Sequence, residues 1–135
     1  KAILHTDGTF SCVFTQNIQD AMYYRVIKHR NSIETWSETP IGFYASPHDF
    51  TTAASQVYAS NQTEVEAGVF AMYTGDINQD GFIDSFDFPA LDTDIFNGVA
   101  SVYVNTDLNG DGFVDSFDFP IYDANSYNGV SVAMP

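Results

Sequence analysis

The chain has 135 residues, 44% hydrophobic and 16% aromatic, which suits one domain or two small ones with a core. Four basic residues face 18 acidic ones, a formal net charge of -14, so nucleic acid and anionic membrane surfaces are excluded as partners and bound cations are favoured. No apolar run is long enough to span a bilayer, which excludes membrane insertion.

The basic residues are Lys1, Arg25, Lys28 and Arg30, and none lies beyond Arg30. A start at Lys1, without Met or a signal segment, reads as a processed product or a fragment, with an exported precursor as one explanation. Ala2–Thr6 and Thr9–Phe14 flank Asp7-Gly8, a hairpin signal. Cys12 is the only cysteine, so no intrachain disulfide forms, and FSCVF makes it a small buried residue rather than a nucleophile. Met22–His29 alternates with period two and reads as one strand; Ile33–Trp36 and Ile41–Tyr44 are short strands around Pro40. Thr51–Tyr58 offers one or two helical turns, and Gly68–Tyr73 is a strand. Residues 1–74 therefore predict a small β-sandwich of five or six strands, immunoglobulin-like but incomplete, since a full one has seven or more. A linker of only Thr74-Gly75 predicts that this part docks on residues 75–135.

A repeat dominates the second half of the chain. From Asp76 to Val99 against Asp107 to Val130, 15 of 24 positions are identical at an offset of 31. Each copy contains D-x-N-x-D-G-x-x-D-x-x-D. This spacing places oxygen donors around a twelve-residue loop, as calcium requires with its six to eight oxygen ligands. Asp76, Asn78 and Asp80 supply side chains at positions one, three and five, Phe82 a backbone carbonyl at seven, Asp84 a direct or water-mediated ligand at nine, and Asp87 closes the loop at twelve. The second set is Asp107, Asn109, Asp111, Phe113, Asp115 and Asp118. Gly81 and Gly112 at position six permit the sharp turn. Magnesium fits a flexible all-oxygen loop less well, and zinc would want His or Cys. Two Ca²⁺ ions are expected, coupled to the folding of residues 75–135. After each loop, Phe86, Phe88 and Leu91, and Phe117, Phe119 and Tyr122, recur at helical spacing. Pro89 and Pro120 suit a first helical turn, and Asn97-Gly98 and Asn128-Gly129 stop the helices. Phe86, Phe88, Phe117 and Phe119 are expected to form a buried seam rather than an exposed docking face.

GDINQDGFIDSFDF and TDLNGDGFVDSFDF resemble the paired calcium loops of type I dockerins, over residues 75–135. The likeness includes Asp rather than Glu at position twelve. It implies a helix after each loop, halves related by an approximate two-fold, and a short β contact at Ile83 and Val114. Cohesin-gripping dockerins commonly carry small hydroxyl and basic residues at the start of the exit helix. Here the pairs are Ser85-Phe86 and Ser116-Phe117 with no basic residue after them, a departure that argues against a cohesin grip. With "YYRVIKHRNSIETWS", "DFTTAASQVY" and "VEAGVFAMYTGDINQDG" upstream, the chain is similar to the dockerin-like tails of secreted surface proteins of Bacteroidetes-type bacteria.

His5, His29 and His48 are scattered, and the paired carboxylates belong to the loops, so no enzyme is expected. Trp36 is a candidate sugar platform, and Asn61-Gln62-Thr63 fits a glycan acceptor. The fold expected is mainly β: an incomplete immunoglobulin-like sandwich (residues 1–74), then a dockerin-like pair of calcium loops with short helices (residues 75–135). The function expected is a secreted, calcium-stabilised structural subunit of an extracellular fibre or surface assembly. Its partners would be copies of itself or a surface protein. The sandwich would be completed by a strand from another chain, or in cis by Val99–Asn105 or Val130–Met134. The alternatives are a docking module that tethers a separate enzyme to a scaffold, and a calcium-dependent carbohydrate-binding module.

Overall fold

The computed structural model describes residue 5, residues 9–13, 21–101 and 103–135. Of the expected hairpin, residues 2–4, 6–8 and 14 lie outside them; residues 9–13 are described, exposed and not in a strand, and His5 N–H donates to Thr9 O (2.8 Å). Among the described residues the chain makes three two-stranded antiparallel sheets and two helices. β1 (Met22–Tyr23) pairs with β4 (Ile41–Gly42), β2 (Val26–His29) with β3 (Ser32–Trp36), and β5 (Thr63–Glu66) with β6 (Val69–Ala71). The single strand expected over Met22–His29 is thus two strands with different partners. The change comes at Arg25, whose N–H donates to Ser37 Oγ (3.1 Å) and whose guanidinium donates to the carbonyls of Ser46 and Ala45. The expected helical turns are two 3-10 turns, Ala54–Gln56 and Tyr58–Ser60. Cys12 is exposed, not buried as FSCVF suggests.

The helices follow the repeat. α1 (Phe88–Asn97) and α2 (Phe119–Tyr127) each carry their proline in the first turn, where a missing N–H is cheapest. α1 ends at Gly98 in the left-handed region (φ 60°), and the chain turns at Gly129 (φ 64°) after α2. The short β contact at Ile83 and Val114 forms, though with a different partner from the facing loop. Ile83 N–H donates to Val130 O (2.9 Å), beyond α2, and Val114 N–H to Val99 O (2.8 Å), beyond α1. Each half therefore uses the exit segment of its helix to pair the other half's loop. Val99 and Val130 are committed to these contacts.

One core holds the molecule together. Ile77, Ile83, Leu91, Leu108, Val114 and Tyr122 come from the repeat, and Ile33 of β3 enters the same cluster with no exposed surface. The β2–β3 hairpin is thus built into the repeat rather than beside it. Its edge is pinned by Ile33 N–H to Tyr73 O (3.2 Å) and by Gly75 N–H to Asn31 O (2.7 Å). Gly75 sits at φ 125°, and a Cβ there would lie 2.8 Å from the Ile83 side chain, so only glycine fits the junction. The docking expected from the two-residue linker is therefore seen as a shared core.

Truncating a fully buried Ile to Ala removes its transfer energy and leaves a cavity, at a cost of about 2–5 kcal/mol. Ile33→Ala is expected to lower the melting of sheets and helices together, in one transition by circular dichroism. A helical signal that melts as in the parent would show that the hairpin is not part of the core.

Candidate calcium loops

Each loop is folded by its own side chains. In the first, residues 76–87, Asp76 Oδ1 accepts Asp80 N–H (3.0 Å) and its Oδ2 accepts Gly81 N–H (3.1 Å). Asn78 Oδ1 accepts Asp80 N–H, and its amide donates to Asp80 Oδ2. Asp80 Oδ1 takes Phe82 N–H, and Asp84 Oδ1 takes Phe86 N–H. Asp87 has no exposed surface; it accepts Ile77 N–H (2.7 Å), Asn78 N–H (3.0 Å) and Asp84 N–H (3.0 Å). The second loop, residues 107–118, repeats this closely. Asp118 gathers the N–H groups of Leu108, Asn109 and Asp115 (2.7, 3.1 and 2.9 Å). Asp107 takes Gly110 and Gly112, Asn109 takes Asp111, Asp111 takes Phe113, and Asp115 takes Phe117.

Phe82 and Phe113 sit in isolated antiparallel bridges with Ser131 and Ala100. The bridge hydrogen bonds are made by their neighbours: Val132 N–H to Gly81 O and Ile83 N–H to Val130 O, Ser101 N–H to Gly112 O and Val114 N–H to Val99 O. In such a pair the residue's own N–H and C=O face away from the partner strand. The carbonyls of Phe82 and Phe113 therefore face their loops.

All twelve expected donors thus belong to two closed loops. Among the described residues, no three His, Cys, Asp or Glu side chains are drawn together into a ready-made metal cluster; the aspartates are turned onto their own backbone. The donor set nevertheless suits a hard cation. It is all oxygen, and most of its carboxylate oxygens accept only one N–H, leaving lone pairs. Burial adds the stronger argument. Asp76, Asp87, Asp107 and Asp118 are all buried, and an unpaired buried carboxylate costs several kcal/mol. Burial pushes the Asp76 carboxyl above its ordinary value, and the nearby charges of Asp87 and Asp80 add to that against two backbone N–H bonds. Among the described residues one basic side chain lies within 4 Å of a loop carboxylate, Arg30 at 3.9 Å from Asp107. A divalent cation in each loop would relieve this repulsion.

Sequence reasoning missed the braces from outside the loops. Arg30 donates to Val104 O (2.6 Å) and Asp107 O (3.1 Å) and lies 3.8 Å from the centre of the Tyr103 ring. Asn31 donates to Asp107 O (2.9 Å), Asn105 to Ile77 O (2.7 Å) and Asn125 to Thr74 O (2.8 Å). No loop motif signals them, because each is a contact between segments distant in sequence.

The aromatic seam needs a correction. Phe88 and Phe119 meet edge to face at 5.8 Å, and Phe88 stacks on Tyr122, so these two rings touch, but both stay more than a third exposed rather than buried. Phe86 and Phe117 are 75% and 71% exposed. They stand at loop position eleven, before the helices begin, where helical periodicity does not apply.

Other candidates recede. His48 Nε2 lies 3.0 Å from Gln56 O, while the neighbouring Asp49 is turned onto Thr51, whose backbone N–H holds its carboxyl below the usual range. His29 contacts Asn31, Arg30 and Tyr103, and burial lowers its pKa. Trp36 is half-buried edge-on to Tyr24, with Nε1 enclosed, and so offers no open sugar platform. The Asn61 amide nitrogen, which would carry a glycan, already donates to Ser131 O (2.9 Å).

Residues 74–124 match the family described as Dockerin type I domain. No curated protein and no solved structure matches the chain. The repeat is thus a dockerin-like calcium-loop module. Such modules bind calcium, occur in secreted or cell-surface proteins and dock to scaffold proteins rather than catalyse. No helix among the described residues is long and apolar enough to cross a membrane.

Losing Asp87 or Asp118 orphans three backbone N–H groups whether or not metal is present. Each unmade bond of this kind costs about 1–3 kcal/mol. Asp118→Ala is expected to lower the urea midpoint even in excess chelator. A parent-like midpoint under chelation would mean that the carboxylate acts on metal alone.

Proposed function

We propose that this chain is a non-enzymatic, calcium-stabilised docking module of an exported protein. Loops 76–87 and 107–118 each take one Ca²⁺ through the twelve donors named above. The docking face is the Ser85-Phe86 and Ser116-Phe117 pairs, flanked by Phe88 and Phe119. The observation that carries this reading is the exposure of Phe86 and Phe117 at equivalent places in both halves. A phenylalanine open to water forgoes roughly 1.5–3 kcal/mol of burial, and a module of this size has little stability to spare. Two copies held open point to a partner that covers them. That partner is a surface or scaffold protein domain with an apolar pocket for one Phe and a basic rim, since this chain carries a net charge of -14. The departure from hydroxyl and basic residues in the two pairs makes its pocket more apolar than one that grips polar dockerins.

The fibre reading has less support. The exit segments that might have completed a sandwich in cis pair the loops at Val99 and Val130, and the matched family is one of docking modules. An immunoglobulin-like arrangement of the upstream part is supported only as far as its antiparallel hairpins.

Calorimetry is expected to give two calcium sites per chain, with chelation lowering the melting temperature. Fewer than two sites would remove the loop assignment. Capture of cohesin-type scaffold domains by the immobilised chain is expected to need calcium. The paired variant Phe86→Ala/Phe117→Ala should abolish capture while leaving the melting temperature within a few degrees. Each single variant should lose little, because the other half presents the same face. Capture unaffected in the paired variant would place the docking face elsewhere.

A further inference from the structure

The two loops differ at positions two, four and eight, and only position four exchanges a polar side chain for none. Loop 76–87 has Gln79 there and loop 107–118 has Gly110, both in the left-handed region (φ 62° and 78°). Gln79 reaches back and donates its amide to the carbonyl of Asp76, the first residue of its own loop (2.7 Å). Gly110 has no side chain to do this. The equivalent carbonyl, on Asp107, is instead capped by Arg30 (3.1 Å) and Asn31 (2.9 Å) from the β2–β3 turn. A neutral amide in one half is thus replaced by a guanidinium in the other.

We infer that Arg30 makes the two calcium sites unequal, so that loop 76–87 fills first and loop 107–118 second. This rests on the reading of both loops as calcium sites. The guanidinium is fixed by Val104 O, Asp107 O and the Tyr103 ring, and its Nη2 stands 3.9 Å from Asp107 Oδ2. It stabilises the acidic loop before the ion arrives and repels the ion once it is there. Both effects weaken binding at the second site.

A bracing role of the opposite sign is argued against by the first loop. There Asp76 is held by two backbone N–H groups, as Asp107 is, and the loop closes with no arginine. Lys28 lines the cleft over that loop beside Asp76 and Asp80, but it is paired with Glu34, so the pair brings no net charge. The cleft over the second loop, about 650 Å³, is lined by His29, Arg30 and Tyr103. The approach to that ion is therefore cationic on one wall. Arg30 is a positioning and tuning residue, not a ligand.

The test is calcium calorimetry on the full chain at low salt. Two sites about tenfold apart in affinity are expected, a difference of the size that one fixed positive charge exerts on a divalent ion through water. Arg30→Gln, which keeps a donor for the Asp107 carbonyl, should tighten the weaker site about tenfold and merge the two. Arg30→Lys, which keeps the charge and loses the fork, should leave them apart. In an Asp80→Asn background, which weakens loop 76–87 as an ion site while keeping an acceptor for the Phe82 N–H, Arg30→Gln should tighten the site in loop 107–118. In an Asp111→Asn background, the equivalent change in the second loop, it should leave the site in loop 76–87 unchanged. Raising salt should shrink the gap in the parent chain. Equal sites in the parent, or a weaker second site in Arg30→Gln, overturn the inference and leave the calcium loops standing. No calcium binding at all would overturn both.

Discussion

The structure depends on four buried aspartates and the backbone they hold. Asp76 and Asp107 open the two loops, Asp87 and Asp118 close them, and together they accept ten backbone N–H bonds. Loops this tight cannot satisfy their N–H groups in a helix or sheet, so side chains must do it. Carboxylates do it best, since hydrogen bonds to a charged acceptor are about twice as strong as neutral ones. The consequence is negative charge concentrated in two places, on four carboxylates that are themselves buried. A divalent cation would resolve that conflict, so on the proposed reading the same atoms set the backbone trace and hold the ligand. Ion binding would then be linked to stability.

Around this constraint the two halves complete each other. Each helix, after its stop near Gly98 or Gly129, sends a short segment to pair with the opposite loop. Neither loop is fully hydrogen-bonded by its own half. The exchange fits a core drawn from both halves, with Ile77, Ile83 and Leu91 of the first and Leu108, Val114 and Tyr122 of the second in one cluster. The β2–β3 hairpin enters as a third participant. Ile33 fills the cluster, while Arg30 and Asn31 at its turn reach the second loop. A module that could have been an independent tail is therefore anchored to the chain that precedes it.

The legibility of each element in the sequence depends on the distance over which its cause acts. The calcium loops, the prolines in the first helical turns and the glycine stops are local, and they stand where their spacing places them. The β2–β3 pair is legible for the same reason. β5 is not, because Thr63–Glu66 is an acidic, exposed run with weak strand preference that forms only when the Gly68 turn folds β6 against it. Ile33 reads as one more alternating strand residue; nothing in IETW shows that it belongs to a core about 50 residues downstream. The two loops that hold the twelve expected donors are legible in the spacing, whereas Gln79 and Arg30 are a substitution across 49 positions that only the folded chain brings into register.

The aromatic residues show where pattern reading fails in the other direction. Phe86, Phe88, Phe117 and Phe119 form a symmetric set in the repeat, and composition alone treats them as core. The helices begin at Phe88 and Phe119, and those two rings meet each other and Tyr122 while staying partly open to water. Phe86 and Phe117 belong to the loops. Their backbone N–H groups are fixed by Asp84 and Asp115, in turns whose geometry is dictated by the carboxylate network rather than by packing. The loop therefore decides where these two rings point, and it points them outward. Had the loop's hydrogen bonding been the only need, a polar residue at position eleven would have served equally well, since only the backbone N–H is used there. The outward phenylalanine in both copies is the feature on which the proposed docking face rests.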